Sequence, residues 1–167
     1  EGAKKRMEDA LAIEPRHTTA HFNLGSLLAS EGAAAEAIPH LQAVIGEAAH
    51  DAEAQLLLAQ ALVATGDDEA SLTHFEQVAK LDPSNEDAVI GGAAALVRLQ
   101  RYSRARPVLE AGLERMPSSG RIAFALARLL AACPDTTVRD GERALELAEL
   151  VYAVDPSHRH AQTVAAV

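Results

Sequence analysis

The chain has 167 residues, 49% of them hydrophobic and 3% aromatic, and a formal net charge of −9. That is ample apolar material for one globular unit, and the acidic balance argues against nucleic acid, which is gripped through Lys and Arg. No apolar run approaches the roughly 20 residues that cross a bilayer; the single Cys133 excludes an internal disulfide framework and a cysteine-built zinc site, without separating a bacterial cytoplasm from a periplasm.

Along the chain, prolines mark a period. Pro83 and Pro117 stand 34 residues apart, and Pro15 to Pro83 is twice that. Residues 1–17 read as the second helix of a hairpin, from about Gly2 to Ile13, with Ala3, Met7 and Ala10 on one face and Pro15 closing it. A full repeat over 18–51 presents His21, Leu24, Gly25, Leu28, Ala37, Leu41 and Val44, with Ala49 at the closing position. The repeat over 52–85 presents Gln55, Leu58, Ala59, Leu62, Ser71, Phe75, Val78 and Pro83. That over 86–119 presents Val89, Gly92, Ala93, Leu96, Ala105, Leu109, Gly112 and Pro117. The repeat over 120–158 presents Ala123, Leu126, Ala127 and Leu130, then, after a longer turn, Ala144, Ala148, Val151 and Pro156. Residues 159–167 begin one more, with a helix from about Arg159. Prolines stop the second helix of each unit. Asp51, Ser84, Asn85, Ser118, Ser119 and Ser157 supply cap formers beside the stops. Gly32 and Gly66 fall in the intra-hairpin turns, where a left-handed residue ends a helix.

This pattern of large and small residues at fixed offsets resembles the tetratricopeptide repeat (TPR), a 34-residue helix–turn–helix unit. The resemblance covers essentially the whole chain as one continuous array. It implies an all-α fold, a right-handed superhelical solenoid of antiparallel helix hairpins, whose concave wall holds another chain. In that frame Gly25, Ala59, Ala93 and Ala127 (position 8) leave room where the two helices of a hairpin cross. The chain departs from the family pattern in having no Trp, and in placing His21, Gln55, Val89 or Ala123 at position 4, where a bulky aromatic is usual. With 36 alanines, its helices are expected to sit close around thin cores. The turn Ala132–Gly141 adds five residues to the period and is similar to a Cys-Pro-Asp…Arg-Asp-Gly variant of bacterial TPR proteins. In it Pro134 would end a helix, Asp135 and Asp140 would cap backbone donors, Arg139 would pair across the turn and Gly141 would adopt a positive φ.

The resemblance also implies where a partner would sit. First helices line the concave wall, and position 5 is Phe22, Leu56, Ile90 and Phe124, large and apolar in all four repeats. Residues three and four apart share a helical face, which adds Asn23, Ser26 and Gln60, then Ala94 and Val97. Arg98, Arg121 and Arg128 fall on the same side. Together they describe an apolar ladder for a protein or peptide segment, with arginines at one end for its acidic residues or C-terminal carboxylate. The segment from Arg98 to Arg128 carries seven arginines against two glutamates, a basic island in an acidic chain. The competing reading is that position 5 packs between neighbouring repeats and the arginines are solvated. A carboxylate clamp built from Lys and Asn, as in chaperone-adaptor TPR domains, is excluded because Phe22 and Ser26 occupy its first-repeat positions and Glu53 and Asp87 replace later basic ones.

No phosphate loop, nucleophile motif, metal-binding helix motif or haem-attachment motif occurs. His17 and His21 straddle a helix start, and His158 and His160 lie at another, so the seven histidines read as surface or loop residues. Cys133 has no second Cys or nearby His for redox or metal chemistry. The reading is therefore a non-catalytic protein-binding module without cofactor or metal. Its rivals are a structural subunit of a large complex and the targeting domain of an enzyme whose catalytic part lies outside the chain. The arginine- and alanine-rich composition points to a GC-rich bacterial source, and the two ends, cut inside a hairpin, to a piece of a longer array.

Overall fold

The computed structural model describes residues 2–154, with side chains as far as Val151. Pro156, Ser157, His158, His160 and the helix expected from Arg159 lie outside the described residues. Nine helices occur among those described: α1 (Gly2–Ile13), α2 (Thr18–Ser30), α3 (Ala34–Glu47), α4 (Ala52–Thr65), α5 (Asp68–Leu81), α6 (Glu86–Arg98), α7 (Tyr102–Arg115), α8 (Gly120–Ala132) and α9 (Gly141–Val154).

The starts of α2, α4, α6 and α8 repeat every 34 residues because their caps do. Side chains of His17, Asp51, Asn85 and Ser119 accept from the backbone N–H of Ala20, Ala54, Ala88 and Ile122 at 3.3, 3.0, 2.9 and 3.1 Å. Each satisfies a donor that the first turn cannot. Of the paired candidates in sequence, Asn85 and Ser119 do the capping, and His17 fills the same role in the first repeat, where no classical cap former stands. The hairpin turns end as the glycines require: Gly32 and Gly66 sit at φ 80° and 85°. The third turn places Gln100 there, at φ 58°. Pro39 and Pro107 lie inside α3 and α7, both on exposed faces where water can serve the carbonyl that each leaves unbonded.

Two compact units divide between Asp82 and Pro83. In unit 1, α2 pairs with α3 and α4 with α5, and α1 lies along α2. Its core gathers Leu24, Leu28, Ala37, Leu41, Leu58 and Leu62, with Met7 and Leu11 of α1 packed at its edge. Ala3 stays exposed. In unit 2, α6 pairs with α7 and α8 with α9 around Val89, Leu96, Leu109, Ile122, Leu126 and Leu130.

Core thinness has a steric cause. A Cβ on Gly25 would stand 2.9 Å from Leu41 Cγ, and one on Gly112 would stand 2.5 Å from Val89 Cγ1. Ala37, Ser71, Ala105 and Ala144, all with no exposed surface, occupy the matching slot on each second helix.

Two stability outcomes follow. Gln100→Gly relieves a left-handed strain of about 1–2 kcal/mol against glycine's extra unfolded-state entropy, for a net gain of about 1 kcal/mol in chemical denaturation. Gly112→Ala overpacks against Val89 and costs about 1–3 kcal/mol, whereas Gly46→Ala, where nothing lies within 4 Å, is neutral or stabilising.

Candidate functional site

The four position-5 residues are all half-buried, Phe22 and Leu56 in unit 1, Ile90 and Phe124 in unit 2. In unit 1, Asn23 and Gln60 are exposed and Ser26, three residues after Asn23, is half-buried. Unit 2 holds a cavity of about 490 Å³, a size that admits several side chains of a ligand.

Its walls come from three helices and a turn. Ile90, Ala94 and Val97 face it from α6, Ala125 and Leu129 from α8, Tyr102 and Leu109 from α7, and Cys133 with Pro134 at the end of α8. Arg98 and Arg128 also line it. Of the residues singled out in sequence, Ile90, Ala94, Arg98 and Arg128 are thus brought together. The guanidinium carbon of Arg128 lies 5.8 Å from the centroid of the Phe124 ring, within cation–π range. Phe124 therefore supports the arginine rather than lining the cavity itself.

Arg121 does not join them. Its two terminal nitrogens pair with Glu86 Oε2 at 3.2 Å and Asp87 Oδ1 at 2.6 Å. The Asp87 hydrogen bond, with further attraction from both carboxylates, raises its pKa and holds it charged. This exposed arginine ties the start of α8 to the start of α6 by ion pairs within the chain. Tyr102 and Pro134 were missed because nothing in a 34-residue pattern says which second-helix and turn residues reach the first-helix wall; Leu129, on the first helix α8, was missed because it is buried beside the wall positions.

The inserted turn over 133–140 forms one end of the cavity. Asp135 Oδ1 accepts from both the backbone N–H and the hydroxyl of Thr137, at 2.9 and 2.7 Å, which lowers its pKa. Asp140 caps α9 by accepting from Arg143 N–H at 3.1 Å. Two details differ from expectation. Gly141 opens α9 without a left-handed backbone. The arginine that spans to the turn is Arg106 of α7: it bonds Glu110 at 2.7 Å, donates to Val138 O at 3.3 Å and pairs with Asp140 at 3.6 Å. Arg139 is exposed. Val138 and Cys133 are buried beneath the braced loop.

Three histidines are built into the structure rather than left on its surface. His21 and His40 face each other with their Nδ1 atoms 2.9 Å apart, and His21 Nε2 reaches Pro15 O at 3.0 Å. Thirty-four residues on, His74 Nδ1 meets Gln55 Oε1 at 2.6 Å, and Gln55 Nε2 donates to Ala49 O at 3.1 Å. The same relay thus joins α3 to α2 and α5 to α4, and each pair to the carbonyl that ends the preceding repeat. Spacing of 34 between His40 and His74 was the available signal. Among the described residues no group of three His, Cys, Asp or Glu is placed to hold a metal ion.

The tetratricopeptide repeat family model matches residues 28–73 and 68–130. No curated protein sequence matches the chain. Solved structures do. Residues 41 to the end of MamA from Desulfovibrio magneticus RS-1 share 24% identity at a TM-score of 0.75, covering 88% of this chain and 81% of that one. A crystal structure of MamA gives a TM-score of 0.80 at 15% identity over 98% of this chain and 90% of that one. YrrB, described as a TPR protein with an unusual peptide-binding site, gives 0.73 at 19% identity over 96% and 82%. At these identities the likeness is one of fold.

Arg106→Ala removes the brace on the inserted turn. The expected result is faster amide exchange at Val138 and Arg139 and a stability loss of about 1 kcal/mol, read by hydrogen exchange and by denaturation.

Proposed function

The chain belongs to the tetratricopeptide repeat family, a fold of protein–protein interaction modules, and from that premise we propose that it is a non-catalytic module that takes up a partner peptide in the cavity of unit 2. The observation that carries this reading is the cavity itself: apolar walls from Ile90, Ala94, Val97 and Leu129, with Arg98 and Arg128 among its lining residues. Such a site suits a segment that inserts an apolar side chain and presents a carboxylate to an arginine fork. The peptide-binding site described for YrrB supports the class of ligand. Phe22, Asn23, Ser26, Leu56 and Gln60 of unit 1 are proposed as a second stretch of partner-facing surface, since Phe22 and Leu56 are as half-buried as Ile90 and Phe124. The alternative, a structural subunit of a large assembly, would place the contacts elsewhere and leave the cavity without a ligand.

The test uses peptides selected from a random display library on the wild-type protein, with affinities read by calorimetry. Ala94→Glu fills the cavity with a charge and Arg128→Glu reverses one recognition charge. Each is expected to weaken binding about tenfold or more, a loss of about 1.4 kcal/mol. Phe124→Glu, which removes the support of Arg128, is expected to weaken binding with the helical spectrum intact. Arg121→Ala, at an internal ion pair, is expected to leave affinity within about twofold. Unchanged affinity in both Ala94→Glu and Arg128→Glu would move the site off this cavity. Unfolding of Phe124→Glu would reassign Phe124 to the core.

A further inference from the structure

We propose that the His21–His40 pair is an acid-sensitive latch between α2 and α3, which opens when both rings carry a proton.

The argument begins with which atoms hold hydrogen. A carbonyl oxygen only accepts, so His21 Nε2, 3.0 Å from Pro15 O, must donate. A neutral His21 then has a bare Nδ1, and His40 Nδ1, 2.9 Å away, must supply the hydrogen between them. One further proton fits, on the outer nitrogen of His40, and the bond survives. A second does not: both Nδ1 atoms would then carry hydrogen, and two donors would face each other at a distance that needs a donor and an acceptor.

The second repeat supplies an internal control. Gln55 uses its amide nitrogen on Ala49 O, so its Oε1 accepts from His74 Nδ1. Protonating His74 adds a hydrogen at the far nitrogen and leaves that bond in place. Only the first junction contains a bond that acid must break.

What the bond holds is α2 against α3, since His21 lies on the one and His40 on the other. The bond from His21 Nε2 to Pro15 O, in the turn between α1 and α2, persists in either state, because that nitrogen carries hydrogen in both. The charged groups acting on His40 are His21, Glu8 and Lys4, and the last two, both on α1, have opposite signs. Lys4 is also paired with Glu36 of α3 at 3.7 Å. His17 is occupied as the cap of α2. Burial first, and then His21, lowers the pKa of His40. Unfolded, His40 takes up its proton near the ordinary imidazole value of about 6.5. Folded, it resists, so that stability is fully present above this value and is lost as pH falls through the lowered pKa of His40.

Hydrogen exchange on the whole chain, with labelling times scaled for intrinsic rates, tests this at about pH 7.5 and about pH 5.0, on either side of the imidazole range. Segment 34–47 around His40 is expected to lose up to about tenfold in protection at the lower pH, the scale of one hydrogen bond, while segment 68–81 around His74 loses none. His21→Gln, which installs the second repeat's arrangement in the first, is expected to abolish the loss. Equal protection of 34–47 at both pH values, or an undiminished loss in His21→Gln, overturns the latch. Should that variant not fold, imidazole nitrogen NMR of the wild type decides. Two coupled steps, the second well below the ordinary value, support the latch, and two rings titrating independently near it overturn it.

Discussion

The helices of each hairpin cross where neither can carry bulk. Leu41 Cγ lies 2.9 Å from where a Cβ on Gly25 would be, and Val89 Cγ1 closer still to that of Gly112. At the crossing, a small residue on one helix lets a leucine or valine of its neighbour press against backbone. Ala59 and Ala127 in first helices, and Ala37 and Ala105 in second helices, repeat the arrangement with no exposed surface at all. Close-packed interiors tolerate neither a void nor an extra methylene at such points. The crossing therefore fixes the spacing of each hairpin, and with it the place of every residue three or four positions away.

Because caps and crossings recur every 34 residues, one slot in the fold is offered repeatedly to different chemistry. Position 4 with its partner on the second helix is filled by His21 with His40, by Gln55 with His74, and at the same offsets by Val89 and Val108. Two fillings are polar and one is apolar. A polar pair in a half-buried slot is tolerated when every group finds a partner, and no buried side-chain nitrogen or oxygen among the described residues lacks one. Repetition of geometry without repetition of chemistry is what allows one junction to respond to acid while its neighbour does not.

This also explains what could be read from sequence. Helix positions were legible because each is overdetermined: Asp51, Asn85 and Ser119 cap, Gly32 and Gly66 terminate, and the small residues recur in phase. Gln100 was not seen as a turn residue because its left-handed backbone is unusual for a side chain with Cβ. That Phe22, Leu56, Ile90 and Phe124 share one structural position was legible from their recurrence at one offset, and all four are half-buried. The fate of the arginines was not. Arg121 faces Glu86 and Asp87 across a repeat boundary, and a periodic pattern treats each repeat alone. The signal was present, since opposite charges stand at nearly the same offset in successive repeats, 34 and 35 residues apart. The inserted turn broke the period itself, so neither the brace from Arg106 nor the part of Cys133 and Pro134 in the cavity wall had a template.

The basic island is accordingly less uniform than its count of arginines implies. Arg106 is held by Glu110 and Asp140, and Arg121 by Glu86 and Asp87, so four carboxylates are drawn onto two of the seven. Charges engaged in this way contribute little field to a ligand, since their partners cancel them at distances longer than the pair itself. Arg128 differs: a phenyl ring under its guanidinium attracts the cation without neutralising it. An aromatic support preserves net charge where a carboxylate support would remove it. The proposal for unit 2 thus rests on the kind of neighbour Arg128 has. The cavity combines Arg128, beside the Phe124 ring, with walls of alanine, valine, isoleucine and leucine, which is why the proposed ligand is one that offers both a carboxylate and an apolar side chain.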